Sequence, residues 1–153
     1  MLGKITASLT PWIHPVDSQV EHAKANEYLI NMDHVIDVED KTTYRILRYK
    51  FNVYDDRQTD FSIYVGETML AIKNLSDVSQ DANMINLDVF EGVDSFNQVS
   101  GLTAVETAFN VSSLVWGDTD GGDDYTRLWY VVGGKAAKPV IVDHTIEEII
   151  NKL

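Results

Sequence analysis

The run Asp118-Thr119-Asp120-Gly121-Gly122-Asp123-Asp124 sets four carboxylates around two glycines. A hard cation such as Ca²⁺ takes about six to eight oxygen ligands, and glycine permits the sharp turn that brings them together. Asp118, Asp120, Asp123 and Asp124 are therefore the candidate metal ligands of this chain. An EF-hand would place a bidentate Glu at the twelfth loop position, which counted from Asp118 falls on Trp129. The competing reading is an acidic hairpin connection in which Gly121 and Gly122 supply positive φ, and the pattern favours it.

Other chemistry has less to stand on. His14 and His22 flank Asp17 and Glu21, but the spacing matches no standard ligand pattern. His34 stands alone, and His144 stands at a helix start, where a neutral imidazole is expected. No serine sits in a Gly-x-Ser-x-Gly turn, and Gly133-Gly134-Lys135 lacks the spacing of a phosphate-binding loop. There is no cysteine, hence no disulfide and no thiol nucleophile. With 24 acidic residues, any pair of carboxylates is uninformative as an acid–base couple.

The aromatics form two groups: Tyr44, Tyr49, Phe51 and Tyr54, then Trp116, Tyr125, Trp129 and Tyr130. They read first as core and cross-strand pairs, and second as a carbohydrate or protein face. Trp12, held between Pro11 and Pro15, is the better docking candidate. A rigid loop presents a Trp at little entropic cost. With Ile5, Leu9 and Ile13 it marks an N-terminal partner-binding segment, whose strand edge a neighbouring chain can complete.

These residues need a scaffold, and the chain reads as two similar halves. Asn31 and Asn110, each in a strand-like block, lie 79 residues apart; Tyr44 and Tyr125 lie 81 apart; Thr68 and Thr145 lie 77 apart. Period-2 alternation and β-branched content predict strands at 3–10, 28–38, 42–54 and 61–65 in the first half, with a slip near Val35 and a turn at 39–41. The second half gives strands at 84–90, 105–116, 125–132 and 139–142. Apolar positions 69, 72 and 75, then 146, 149, 150 and 153, predict a short helix closing each half, the second capped by Asp143 or Thr145. Residues 17–26 read as a short helix or loop, and 91–103 as irregular. The fold class expected is α+β, β-rich, with two pseudo-repeated β-β-β-β-α halves, 1–78 and 79–153, packed together. A unit of roughly 75 residues is marginal alone.

Composition narrows the partners. The chain has 153 residues, 44% of them hydrophobic, with a formal net charge of −12. That charge argues against nucleic acid, which needs a basic footprint, and against an anionic membrane surface. No run approaches the ~18 apolar residues of a membrane span, and residues 1–6 lack the apolar run of a secretory signal.

The pattern Ile30-Asn31-Met32-Asp33-His34-Val35, then Thr43-Tyr44-Arg45-Ile46, then Val65-Gly66-Glu67-Thr68 before a helix resembles small β-β-β-α structural proteins of tailed bacteriophages. The counterparts are Phe109-Asn110-Val111-Ser112-Ser113-Leu114, residues 125–128 and residues 142–148; the second half departs from the pattern by carrying Ser112-Ser113 in place of the Asp-His pair. The resemblance covers about two-thirds of the chain in short patterns. It implies a non-enzymatic virion structural protein, assembled in the host cytoplasm and bound to the capsid as a decoration or auxiliary protein. Expected partners are capsid or neck and tail proteins and further copies of the chain, with no cofactor. Alternatives are a neck or tail connector, or a module binding calcium or carbohydrate.

Overall fold

The structure is a computed structural model that describes residues 2–6, 12–13, 20–21, 27–42, 44–50, 62–76, 80, 82–119, 124–132, 135–136 and 139–153. In the first half the strands are β1 (Leu2–Thr6), β2 (Trp12–Ile13), β3 (Val20–Glu21), β4 (Glu27–Asn31), β5 (Val35–Asp40), β6 (Arg45–Tyr49) and β7 (Ser62–Val65), followed by helix α1 (Met69–Ser76). The second half has β8 (Met84–Phe90), β9 (Val105–Asn110), β10 (Leu114–Asp118), β11 (Thr126–Val132), β12 (Lys135–Ala136) and β13 (Val140–Val142), then helix α2 (Ile146–Asn151). The fold is β-rich α+β. An antiparallel sheet runs β1-β4-β10-β11-β13-β8-β9 with β12 also on β11, beside a three-stranded sheet β5-β6-β7 and the hairpin β2-β3.

Two of the long strands expected from alternation are each in fact two. Residues 28–38 form β4 and β5, broken by a 3-10 turn, Met32–His34; residues 105–116 form β9 and the start of β10, broken by Val111–Ser113. The cause is the same in both. The Asn31 side chain accepts from the Asp33 N–H at 3.1 Å, and that of Asn110 accepts from the Ser112 N–H at 3.0 Å. An Asn side chain bonded two residues ahead imitates a turn and stops the ladder. The strand expected over 42–54 is β6 alone within the described residues, and the turn expected at 39–41 comes later, since β5 runs to Asp40.

That later turn is strained. Thr42 has φ 76°, in the left-handed region that a β-branched residue rarely occupies. Its N–H donates to Asp40 Oδ1 at 2.9 Å, and its carbonyl accepts from Arg45 Nη2 at 3.2 Å. Because only the backbone of Thr42 is used among the described residues, Thr42→Gly should raise stability by about 1 kcal/mol, read as a shift of a few degrees in thermal melting.

The middle of the large sheet is buried on both sides, so its strands read as continuous apolar runs. One core holds Tyr28, Ile30, Val115, Trp116 and Trp129 with Leu47, Tyr49, Val65 and Ile72 of the small sheet and α1. A second holds Leu29, Leu87, Phe109, Leu128 and Val142 beneath Ile146 and Ile149 of α2. Both helices start on a threonine cap: Ala71 N–H donates to Thr68 Oγ1 at 3.2 Å and Glu148 N–H to Thr145 Oγ1 at 3.1 Å.

Tyr49, 1% exposed, has its hydroxyl pKa pushed well above the usual value by burial, with Tyr28 adding to the effect. Below a pH of about 10 both folded and unfolded phenols are neutral. Above it the unfolded chain releases a proton that the folded chain keeps, so stability should fall by up to about 1.4 kcal/mol per pH unit from this group. Melting curves from pH 8 to alkaline pH should show that loss, and Tyr49→Phe should make the slope shallower.

Candidate interaction surface

Charged side chains at the ends of two hairpins bind each other across the strands. In β5-β6, Arg45 Nε donates to Asp40 Oδ1 at 3.1 Å. In β10-β11, Arg127 grips Asp118 through both oxygens, Nε to Oδ1 at 3.0 Å and Nη2 to Oδ2 at 2.7 Å. Asp118, the first of the candidate metal ligands, thus faces a guanidinium, which also lies over the Trp129 ring at 4.8 Å. Asp124 is exposed, while Asp120 and Asp123 lie outside the described residues. Among the described residues no group of three or more His, Asp or Glu is placed to hold a metal.

Arg48 of β6 pairs with Asp37 of β5 at 2.7 Å and with Glu39, and Lys41, just past β5, pairs with Glu39 at 2.7 Å. Hydrogen bonds from Lys41 and then Arg48 hold the Glu39 carboxyl below its usual range. The strand therefore carries carboxylates that its own chain already neutralises.

The aromatic groups divide. Trp116 and Trp129 stack at 4.5 Å, with Tyr28 tilted against Trp116 at 5.4 Å, all in the core. Tyr130 meets Phe109 edge-on at 5.5 Å and Tyr125 meets Phe90 at 5.4 Å. Phe51 and Tyr54 lie outside the described residues. Of the N-terminal docking segment, Ile5 lies in β1 at the end of the large sheet, Trp12 and Ile13 form β2, and Leu9 lies outside the described residues.

Among the histidines, His14 and His22 fall outside the described residues. His144 is nearly buried and joins three elements. Its Nε2 accepts from the Asp88 N–H at 3.0 Å, its Nδ1 faces Glu148 Oε2 at 3.3 Å, and its carbonyl accepts from Thr126 Oγ1 at 2.7 Å. An Nε2 that accepts requires the Nδ1–H tautomer. His34 Nε2 donates to the Ser112 carbonyl at 2.7 Å, tying one 3-10 turn to the other.

The residue whose structural role the sequence did not reveal is Asn31. It is fully buried, and its Nδ2 donates to the Leu114 carbonyl at 2.7 Å and to the Val111 carbonyl at 3.4 Å. The bond locks the end of β4 onto the start of β10, where Trp116, Gly117 and Asp118 face Ile30, Leu29 and Tyr28. Asn110, which caps the other 3-10 turn, is exposed, and among the described residues its Oδ1 serves only its own turn. The signal available was the Asn at the same place in both blocks, at the point where alternation slips.

Several strand edges lack a ladder partner among the described residues, among them those of β1, β7, β9 and β5. β9 ends the large sheet beyond β8, and β5 ends the small sheet beyond β6. An open depression of about 360 Å³ lies between the 3-10 turns, lined by Asp33, Asn83, Asn110 and Ser112 among others. Among the described residues no helix is long and apolar enough to cross a membrane. Comparisons with protein families, with curated proteins and with solved structures find no match.

Proposed function

We propose that this chain is a non-enzymatic structural protein of a tailed-phage particle, built from a tandem duplication and attached to the capsid as a decoration or auxiliary protein. The observation that carries it is the use of strand addition inside the chain: β4, from the first half, completes the sheet of the second at β10. A building block that joins its own halves by an edge has the means to join other chains in the same way. The polar clusters of the described hairpins are ion pairs that staple strands, and the sequence resembles small phage structural proteins.

Several correspondences support the duplication. β4, 3-10 turn, β5, β6, β7, α1 matches β9, 3-10 turn, β10, β11, β13, α2, with β12 as the addition. The first outer hairpin opposes Leu2 to Asn31 and the second opposes Met84 to Asn110. The ladder slips between Val35 and Asp37 in one half and between Leu114 and Trp116 in the other.

The direct test is mass spectrometry and immunogold labelling of purified particles of the phage that encodes the chain. Labelling spread over the shell supports decoration, and absence from particles overturns the virion reading. The open edges of β9 and β5 favour a second placement, a neck or tail connector, for which labelling would gather at the single tail vertex.

A further inference from the structure

We infer that copies of this chain join head to tail, the open edge of β9 in one copy adding to the open edge of β5 in the next, in the register by which β4 is added to β10. The inference rests on the duplication and is independent of the virion reading.

The internal seam is the template. β10 corresponds to β5, through the shared ladder slip and the hairpin partner that follows each. β4 corresponds to β9, through the Asn at the end of each. Inside the chain β4 and β10 are paired, whereas β9 and β5 are each left with one side open among the described residues. Carrying the internal register across puts Asp37 opposite Phe109, Val38 opposite Ala108 and Glu39 opposite Thr107 of the neighbouring copy.

Three features fit this partner. Val115, in the ladder slip of β10, is fully buried, whereas Ile36, at the same place in β5, is 57% exposed. Asn31 is buried with its Nδ2 on Leu114 and Val111, whereas Asn110 is exposed and its Nδ2 has no partner among the described residues; the Val35 and Met32 carbonyls of the next copy are its counterpart acceptors. The seam sets large Leu29 against Gly117, and the inferred contact sets small Ala108 against Val38, the same pairing with the sizes exchanged. The carboxylates on β5 are already paired with Arg48, Lys41 and Arg45, so they blunt the edge less than free charges would.

A contact between different edges is heterologous: it closes into a ring or continues as a filament, and it does not stop at two copies. The net charge of −12 opposes association, so about 0.5 M salt, which shortens the Debye length below the ~8 Å of physiological buffer, should favour it.

The chain has no cysteine, which makes crosslinking clean. The full-length double variant Val38→Cys/Ala108→Cys, oxidised at about 0.5 M salt, should give a non-reducing ladder beyond dimers or one discrete ring band, collapsed by reductant. Either single variant should stay monomeric on the gel, and the off-register pair Val38→Cys/Glu106→Cys should crosslink at least several-fold less. Ala108→Glu, on the cysteine-free chain, should lower the light-scattering mass to that of a monomer with an unchanged circular dichroism spectrum. A double variant that stays monomeric, stops at dimers, or crosslinks no better than the off-register pair overturns the inference. The test uses pure protein without shells, so its failure leaves the virion reading to its own experiment.

Discussion

Asn31→Ala should cost about 3 kcal/mol, whereas Asn110→Ala should cost under about 1 kcal/mol, although each residue ends a strand and caps a 3-10 turn. Asn31 is wholly buried, and its amide donates to the Leu114 carbonyl at 2.7 Å and the Val111 carbonyl at 3.4 Å while its oxygen caps the turn. Truncation removes those bonds and leaves the buried Leu114 carbonyl without its side-chain donor, the expensive half of a lost hydrogen bond. Asn110 loses only a solvent-exposed cap. For a chain of this length the Asn31 loss is a fall of roughly 6–12 °C in melting temperature. Asn31→Asp keeps the cap but cannot donate, so it should cost nearly as much as Asn31→Ala. Equal losses at Asn31 and Asn110 would show that the β4·β10 seam is not held as described.

Gly117→Ala should be the other severe substitution, at about 2–3 kcal/mol. Gly117 sits in β10 between Leu29 of β4 and Leu128 of β11. A Cβ there would lie 2.8 Å from Leu128 Cδ2, 3.0 Å from the Arg127 carbonyl oxygen and 3.2 Å from Thr126 Cγ2. The leucine tip can rotate, but the carbonyl belongs to the neighbouring strand and cannot move without opening the ladder. Chemical denaturation should show the lost midpoint. A loss under about 0.5 kcal/mol would mean the strands have more room than these distances allow.

Part of this fold was legible from residue order. The helix over 146–151 announced itself through Asp143 or Thr145 as its cap, of which Thr145 is the one used, and through apolar spacing at 146, 149, 150 and 153. β8 and β11 came within a residue of expectation, β8 because its residues alternate and β11 because it is an aromatic and β-branched run. The two Asn turns were hidden, because apolar residues continue on both sides and only the phase slips. The destination of each piece was hidden more deeply. β4 and β5 are separated by three residues yet lie in different sheets, and that choice is decided by pairing partners some 80 residues away, which local periodicity does not encode. Within the acidic run, Asp118 faces Arg127 across the hairpin, a cross-strand register that spacing alone does not give.

The measurement that bears most directly on this protein as a self-assembling building block is light scattering on the pure full-length chain. It would be run across protein concentration at low and high salt, once with calcium and once with chelator. The expected result is a mass that climbs past that of a dimer with concentration and salt, or settles at one ring size, and is the same with and without calcium. A monomeric mass throughout, or a mass that follows calcium, would contradict it.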